Sequence, residues 1–222
     1  MFLPRAFAET DLAALDRLLG AHPFVTCISP GAGGELPQVT HLPVLYSRCG
    51  DAVLIEGHFA RANPQASEAR PMLLVVHGPH AYVSPGWYPD KESAARVPTW
   101  NYAVAHLAGI PEFFRDEATL ADLVARMSQR FEADVGGDWR FESERADQRV
   151  QLRGIVGFRL RPADIQMKFK LSQNHPAANV RGVIAGLRGG MQAQGHAVAA
   201  LMEGALHPSA PPLHETEPPS PR

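Results

Sequence analysis

Short runs of β-branched and aromatic residues, separated by turn-forming residues, dominate the first half of this chain. About six such runs fall within roughly 100 residues, with tight connections between them. The runs lie at 24–29, 38–46, 52–59, 71–77, 81–84 and 102–106. Because short strands with tight connections pair with their neighbours in sequence, the pattern predicts a closed or half-closed antiparallel barrel.

Helical periodicity flanks the predicted strands. Four leucines between Leu12 and Leu19 share one face of a short first helix, and Gly20 ends it. Asn174 is expected to cap a later helix. Strand-like runs return at 151–160 and 165–171, and helices are predicted over 116–131, 180–187 and 191–206. The predicted fold class is therefore mainly β with flanking helices (α+β), including helices at the C-terminal end.

Length and composition favour one globular domain. The chain has 222 residues, of which 45% are hydrophobic, and this is enough for one sizeable core. We expect that domain to cover residues 1–206. Residues 207–222 are rich in proline and show no apolar period, which predicts a disordered tail.

The charge balance argues against a nucleic-acid or membrane surface as the main partner. The 21 Lys and Arg residues face 23 Asp and Glu residues, so no excess positive charge is available to neutralise phosphates. Direct DNA contact is therefore doubtful, and the helix over 177–188 carries only Arg181 and Arg188. The apolar run 72–76 is far shorter than the roughly 20 residues of a membrane-spanning helix. A cytoplasmic location is expected.

Several familiar chemical motifs are missing. The glycines at 31–34 lie in a predicted hairpin turn and do not open a helix, so a dinucleotide site is not indicated. The two cysteines, Cys27 and Cys49, are too few for a disulfide framework or a cysteine metal site. His77 and His80 are separated by a predicted turn and lack a third ligand, so no metal site is expected. No catalytic residue can be assigned.

The first polar cluster is the segment 57–65, in which a strand ends in a loop. Arg61 offers a fork of donors, Asn63 an amide, and the turn its main-chain N–H groups, a combination that suits a phosphate. The alternative is a solvated arginine beside an ordinary loop.

The second cluster covers 77–89 and 97–102 and is rich in Trp, Tyr and Pro. Trp100 and Tyr102 would suit a planar heteroaromatic ring fixed by neighbouring polar groups such as Asn101. A packed hairpin that braces the barrel explains the same composition.

The third cluster is the segment 167–175. Alternation places Lys168, Lys170 and Ser172 on one strand face, which would suit an anion. An exposed edge strand protected by lysines is the competing interpretation.

Taken together, these clusters resemble the PaiB family, described as FMN-binding negative transcriptional regulators. The resemblance spans residues 1 to about 187 and is specific, because several long motifs occur in the order of the family. The motifs are Met-Phe-Leu-Pro at 1–4, His-Leu-Pro at 41–43, Gly-His-Phe-Ala-Arg-Ala-Asn-Pro-Gln at 57–65, Gly-Pro-His-Ala-Tyr-Val-Ser-Pro at 78–85, Val-Pro-Thr-Trp-Asn-Tyr at 97–102 and Lys-Phe-Lys-Leu-Ser-Gln-Asn at 168–174.

The resemblance implies an antiparallel split β-barrel of the pyridoxamine-phosphate-oxidase type, assembled as a homodimer with FMN between the subunits. Strand residues at 40–42 and the segment 59–63 would hold the phosphate, and the partner chain would contribute 99–102. The cofactor-binding residues expected on this basis are Thr40, His41, Phe59, Arg61, Asn63, Trp100, Asn101, Tyr102, Lys168 and Lys170. The family commonly has Arg or Lys at position 175, where this chain has a titratable His175.

The implied function is negative regulation of transcription by an FMN-binding protein without a dedicated DNA-reading motif. A flavin-dependent oxidoreductase of the split-barrel type is the alternative, and a haem-binding or haem-degrading protein is a third reading.

Overall fold

The computed structural model describes residues 1–31 and 35–206, so the tail predicted over 207–222 lies outside the described residues. The strands are β1 (Ala8–Glu9), β2 (Phe24–Ser29), β3 (Gln38–Pro43), β4 (Leu45–Cys49), β5 (Ala52–Ala60), β6 (Met72–Val83), β7 (Thr99–Gly109), β8 (Glu112–Phe114), β9 (Ile155–Leu160) and β10 (Asp164–Lys170). The helices are α1 (Leu12–Ala21), α2 (Glu117–Val135), α3 (Ala146–Arg149), α4 (Ala177–Gly189) and α5 (Gly195–Leu206).

The strands form two sheets. One has the order β1-β10-β7-β6-β2-β3 and the other has the order β4-β5-β9-β8. Strands β2 and β3 form an antiparallel hairpin, and β5 pairs antiparallel with both β4 and β9. The predicted class, mainly antiparallel β with flanking helices, is confirmed.

The chain divides into two compact units. The first unit comprises residues 1–78 and 103–169, and the second comprises 79–102 together with the chain from residue 170 onward, described to residue 206. Strands β6 and β7 each begin in one unit and end in the other.

Helix α2 covers part of the core of the first unit. The Asp116 carboxylate accepts a hydrogen bond from the Thr119 main-chain N–H at 2.9 Å, which starts the helix, and Gly136 with φ of 71° ends it. Its apolar face joins a buried cluster formed by Phe114, Leu120, Leu123, Met127 and Leu152. The predicted amphipathic helix is therefore confirmed and extends about one turn further than the periodicity indicates.

A buried carboxylate links this helix to strand β9. Glu56 accepts hydrogen bonds from Arg126 Nη1 at 2.6 Å and from Arg159 Nε at 3.1 Å. Burial opposes the charge on Glu56, but the two guanidinium groups outweigh it and lower the pKa of this carboxyl. The ion pairs allow a charged group to lie in an otherwise apolar part of the unit.

In the second unit, Trp87 packs against a helix face without side chains. A Cβ atom at Gly182 would lie 2.2 Å from the Trp87 carbonyl oxygen, and one at Gly186 would lie 2.3 Å from its indole ring. Only glycine at both positions allows α4 and Trp87 to approach this closely. Helices α4 and α5 are joined at the surface by an ion pair from Arg188 to Glu203 at 2.7 Å.

The structure departs from the sequence prediction at several boundaries. Gly78 and Pro79 lie inside the continuous strand β6 and do not form a turn. A Cβ at Gly78 would lie 2.8 Å from the carbonyl oxygen of Ala103 in the first unit, so this glycine serves a close approach of main chains. The run 38–46 is divided into β3 and β4, and residues 150–154 form a 3₁₀ turn before β9.

Two expectations for the third cluster are wrong. Ser172 follows the end of β10 and has φ of 65°, so it does not share a strand face with Lys168 and Lys170. Helix α4 starts after Pro176 without a side-chain cap, so Asn174 does not cap it.

None of the helices in the described ranges has the length and hydropathy needed to cross a membrane.

Candidate functional site

The loop after β5 in the first unit is held by a chain of side-chain hydrogen bonds. Asn63 Nδ2 donates to Thr40 Oγ1 at 2.8 Å, and Thr40 Oγ1 donates to Gln65 Oε1. Asn63 Oδ1 also accepts from the Gln65 main-chain N–H at 2.9 Å, which forms the turn. The predicted pair Thr40 and Asn63 is therefore brought together in one polar network.

The sequence analysis missed Gln65, which organises this network. Its amide is buried, and Nε2 donates to Ser29 Oγ at 3.1 Å and to the Gln38 carbonyl at 3.2 Å. Cys27 Sγ lies 3.7 Å from the same nitrogen. Burial raises the pKa of the Cys27 thiol to about 12, so this sulfur is a packed neutral group.

Arg61 differs from the neighbouring polar residues. Its main-chain N–H donates to the Gly154 carbonyl at 2.7 Å, which fixes the loop, while its side chain is exposed. Within residues 1–31 and 35–206, its guanidinium has no ion pair or hydrogen-bond partner. A fixed loop that carries an exposed guanidinium beside Thr40 and Asn63 fits an anionic group such as the FMN phosphate.

His41 lies in a group of polar residues on the same sheet. Thr26 Oγ1 is 3.0 Å from His41 Nδ1 and 3.2 Å from His77 Nε2. Phe24 stacks against His41 with ring centroids 6.5 Å apart. These histidines present exposed imidazoles that can donate or accept hydrogen bonds.

Phe59 is part of the core. Its side chain is 1% exposed and packs against Phe158 and Phe113 with centroid distances of 5.3 and 6.2 Å. Its ring therefore stabilises the first unit, and any ligand contact from this residue would come from its main chain.

The two predicted lysines have different surroundings. Lys168, in the first unit, donates to the Phe2 carbonyl at 3.2 Å and lies over the Phe2 ring at 5.4 Å. Lys170, in the second unit, donates to the Trp100 carbonyl at 2.8 Å and to Thr99 Oγ1.

The three predicted residues of the Trp-Asn-Tyr run belong to the second unit. Trp100 is half exposed and lies 6.1 Å from both the His80 and the Tyr82 rings. Asn101 is fully buried and donates to Ser172 Oγ at 2.9 Å. Tyr102 is half-buried. The run therefore exposes the ring of Trp100, while the amide of Asn101 is part of the interior.

The second unit also contains a polar cavity of about 260 Å³. Its wall includes Asn101 and Lys170 from the predicted set, and three residues outside that set, Tyr88, Arg96 and His175. In the sequence, the second cluster (77–89 and 97–102) and the third cluster (167–175) both pointed to this region. The cavity is formed by other segments of the chain than the loop of Arg61.

The chain is similar in sequence to proteins of an FMN-binding family. Residues 1–164 match the family model described as "Putative FMN-binding domain". The chain is 32% identical over 211 residues to "Protease synthase and sporulation protein PAI 2" of Bacillus subtilis (strain 168), an alignment that covers 93% of this chain and 98% of that protein.

Two solved structures have a similar fold. The FAD and haem binding protein from Mycobacterium smegmatis has a TM-score of 0.55 and 17% identity, covering 81% of this chain and 80% of that chain. The flavocytochrome Anf3 from Azotobacter vinelandii has a TM-score of 0.55 and 20% identity, covering 75% of this chain and 72% of that chain. At this level of identity the likeness shows the fold alone.

The antiparallel sheets and these likenesses define the split-barrel fold class, as the sequence predicted. The chain belongs to the FMN-binding family of the matching model, and the resemblance to PaiB proteins is confirmed. FMN as the cofactor is confirmed at the level of this family.

Proposed function

We propose that this protein is an FMN-binding negative regulator of transcription that acts without reading DNA itself. The observation that carries the flavin site is Arg61, an exposed guanidinium on a loop fixed by Thr40, Asn63 and Gln65. When FMN is bound, Arg61 and Asn63 would hold the phosphate, and Thr40 would fix the loop beside it. FMN itself would supply redox chemistry or a ligand-dependent signal.

Charge supports indirect action on transcription. The chain carries a net charge of −2, and Arg188 of helix α4 is already paired with Glu203. A helix whose terminal arginine is neutralised offers little attraction to a phosphate backbone. The regulatory effect is therefore assigned to a protein partner or to flavin chemistry.

The flavin part is tested by the absorption spectrum of the purified protein and by titration with FMN. We expect bound flavin with absorbance in the visible range and a higher melting temperature with added FMN. A colourless protein whose melting temperature does not respond to FMN would contradict this assignment.

The regulatory part requires a separate experiment. Transcripts would be compared between a host strain that lacks the gene, the same strain with the wild-type gene, and the same strain with Arg61→Ala. We expect the deletion to raise a defined set of transcripts and the wild-type gene to lower them again. DNA from the affected promoters should show no salt-sensitive complex with the purified protein, and such a complex would refute indirect action.

A flavin oxidoreductase is the second candidate, and the His41–Thr26–His77 group favours it. Two imidazoles bridged by one hydroxyl can hold and move a proton, as a reductase needs near a flavin ring. The test is bleaching of the bound flavin by NADH or NADPH under anaerobic conditions. Rapid bleaching that slows in Thr26→Val would favour this function, and no bleaching by either nucleotide would reject it.

We also propose that the protein forms a homodimer. In the first unit the β2–β3 hairpin exposes Phe24 and Val39, which are 62% and 53% accessible. Apolar residues exposed on one hairpin are typical of an interface between subunits. Light scattering coupled to size exclusion should give twice the 24.1 kDa mass of the chain, and Val39→Glu should shift the population toward a monomer.

A further inference from the structure

The cavity in the second unit is lined by several polar side chains. Two cationic side chains, Arg96 and Lys170, lie on its wall together with the hydroxyls of Tyr88, Thr99 and Ser172. His175 completes the wall on the side of the Tyr88 ring. All of these residues belong to the second unit, so the cavity is formed by that unit alone.

Two buried polar atoms of this wall have no hydrogen-bond partner among the described residues. They are the Tyr88 hydroxyl, on a side chain that is 2% exposed, and His175 Nδ1. Burial raises the pKa of Tyr88 and outweighs the Ser172 side chain and Arg96, which lower it, so the hydroxyl keeps its proton. Because a buried polar atom without a partner costs free energy, such atoms at a cavity indicate a ligand that satisfies them.

The charges around the cavity favour an anion. Arg96 is held by Asp90 through Nε at 3.0 Å and through Nη2 at 2.5 Å, but Asp90 itself does not line the wall. Burial lowers the pKa of His175; Arg96 and Lys170 lower it as well, while Asp90 raises it. Both cationic side chains line the wall and the carboxylate does not, which favours an anion there.

The main chain on both sides of the cavity is held in an unusual conformation. The two non-glycine residues of the described ranges with positive φ are Ala95, at 45°, and Ser172, at 65°, and both line this wall. Non-glycine residues adopt such angles where the surrounding structure enforces them, and they concentrate at ligand sites. Ser172 is fixed in addition by the buried Asn101 amide at 2.9 Å.

We propose that this cavity binds the phosphate group of a small molecule, held by Arg96, Lys170, Tyr88 and His175. Donors from several directions match a tetrahedral oxyanion with three or four oxygens better than a planar carboxylate with two. A volume of about 260 Å³ is below the usual range for larger organic ligands, so the occupant is inorganic phosphate or a small phosphate monoester. Lys170 also belongs to the residues expected to bind FMN, so titration with saturating FMN separates this site from the flavin site proposed at Arg61.

The test is calorimetric titration of the full chain with inorganic phosphate, methyl phosphate and acetate, each with and without saturating FMN. We expect both phosphates to bind in either condition and acetate to bind at least about tenfold more weakly. Binding of acetate as tightly as phosphate would replace the proposal by a carboxylate site. Phosphate binding that disappears with FMN would assign it to the flavin site and overturn the proposal.

Two variants locate the phosphate. Tyr88→Phe removes only the hydroxyl, so it should weaken phosphate binding several-fold and raise the melting temperature of the ligand-free protein, because an unsatisfied buried group is lost. A purely structural tyrosine would not give these opposite effects. Lys170→Met should weaken binding by about tenfold or more.

The matched control is Lys91→Met, because Lys91 is an exposed lysine of the same unit that does not line the cavity. Its affinity for phosphate should equal that of the wild type. No phosphate binding by the wild type at millimolar concentration, or equal loss in Lys91→Met and Lys170→Met, would overturn the proposal.

Discussion

The rings of Tyr88 and His175 are stacked almost in parallel, with centroids 4.9 Å apart and an angle of 4° between their planes. Each ring also carries a buried polar atom without a partner. The stack therefore contributes packing while it retains two unsatisfied groups. Substitutions that keep the ring but remove its polar atom therefore separate the effect of stacking from the effect of the unsatisfied group.

The first prediction concerns the pH dependence of that stack. The pKa of His175 is lowered in the folded protein, so on acidification the unfolded chain takes up a proton first, near pH 6.5. The stability contributed by neutral His175 is complete above that pH and is lost as pH falls through the lower folded pKa. In His175→Phe, which retains a stacking ring, urea denaturation at pH 5 and pH 7 should show a smaller difference than in the wild type. An unchanged difference would contradict this role of His175.

The second prediction concerns the flavin phosphate. Arg61→Ala should weaken FMN binding by about 1.5–3 kcal/mol, because a hydrogen bond to a charged group is lost. Fluorescence quenching of FMN during titration measures the dissociation constant. Arg70→Ala is the control, because Arg70 is already paired with Glu68 at 2.7 Å. Equal dissociation constants for the wild type and Arg61→Ala would reject Arg61 as a phosphate ligand.

The third prediction concerns the buried amide behind the flavin loop. Gln65→Leu should lower the free energy of unfolding by about 1–3 kcal/mol, because Thr40 and Ser29 lose a buried partner. Chemical denaturation followed by circular dichroism provides the measurement. The exposed Gln151→Leu should change stability by no more than about 0.5 kcal/mol, and a similar loss in both variants would argue against the network.

The fourth prediction concerns acid stability. The pKa of Glu56 is lowered against its unfolded value of about 4.3, so its contribution is complete above that pH and is lost as pH falls through the folded pKa. Glu56→Gln should be less stable at pH 7, while its stability should fall less steeply below about pH 4.3. Acid denaturation curves of the two proteins measure this. Parallel curves would show that Glu56 is not coupled to folding.

The fifth prediction concerns thiol reactivity. Cys49 is exposed, whereas Cys27 is fully buried with its pKa raised to about 12 by burial. Iodoacetamide should therefore modify Cys49 in the native protein and reach Cys27 only after unfolding. Mass spectrometry of the labelled peptides gives the order. Early modification of Cys27 would show that the region around Gln65 opens in the native state.

The sequence predicted the parts of the fold that depend on periodicity and short-range turns. The strands 24–29 and 52–59 and the helix after Asp116 appear within a few residues of their predicted bounds. The Gly78-Pro79 pair failed as a turn signal, because the glycine serves the close approach of Ala103 across the sheet. A turn prediction from neighbouring residues cannot include a packing constraint that a distant strand imposes.

In the candidate site, too, residues in a contiguous segment were predicted, whereas roles that depend on distant contacts were not. Arg61 and Asn63 were predicted from the donors of one contiguous loop and Thr40 from the family resemblance, and the structure joins Asn63 to Thr40 by a hydrogen bond. Gln65 and Tyr88 were missed, since their importance comes from partners or from a lack of partners, and neither is visible in a linear pattern. Ser172 was misplaced because its positive φ is imposed by the fold and not by its residue type.

The close approach of Trp87 to Gly182 and Gly186 gives the protein an intrinsic optical probe. The other two tryptophans, Trp100 and Trp139, are 51% and 52% exposed, so the short-wavelength part of the indole emission belongs to Trp87. A red shift of that emission during heating would time the detachment of helix α4 without any added dye.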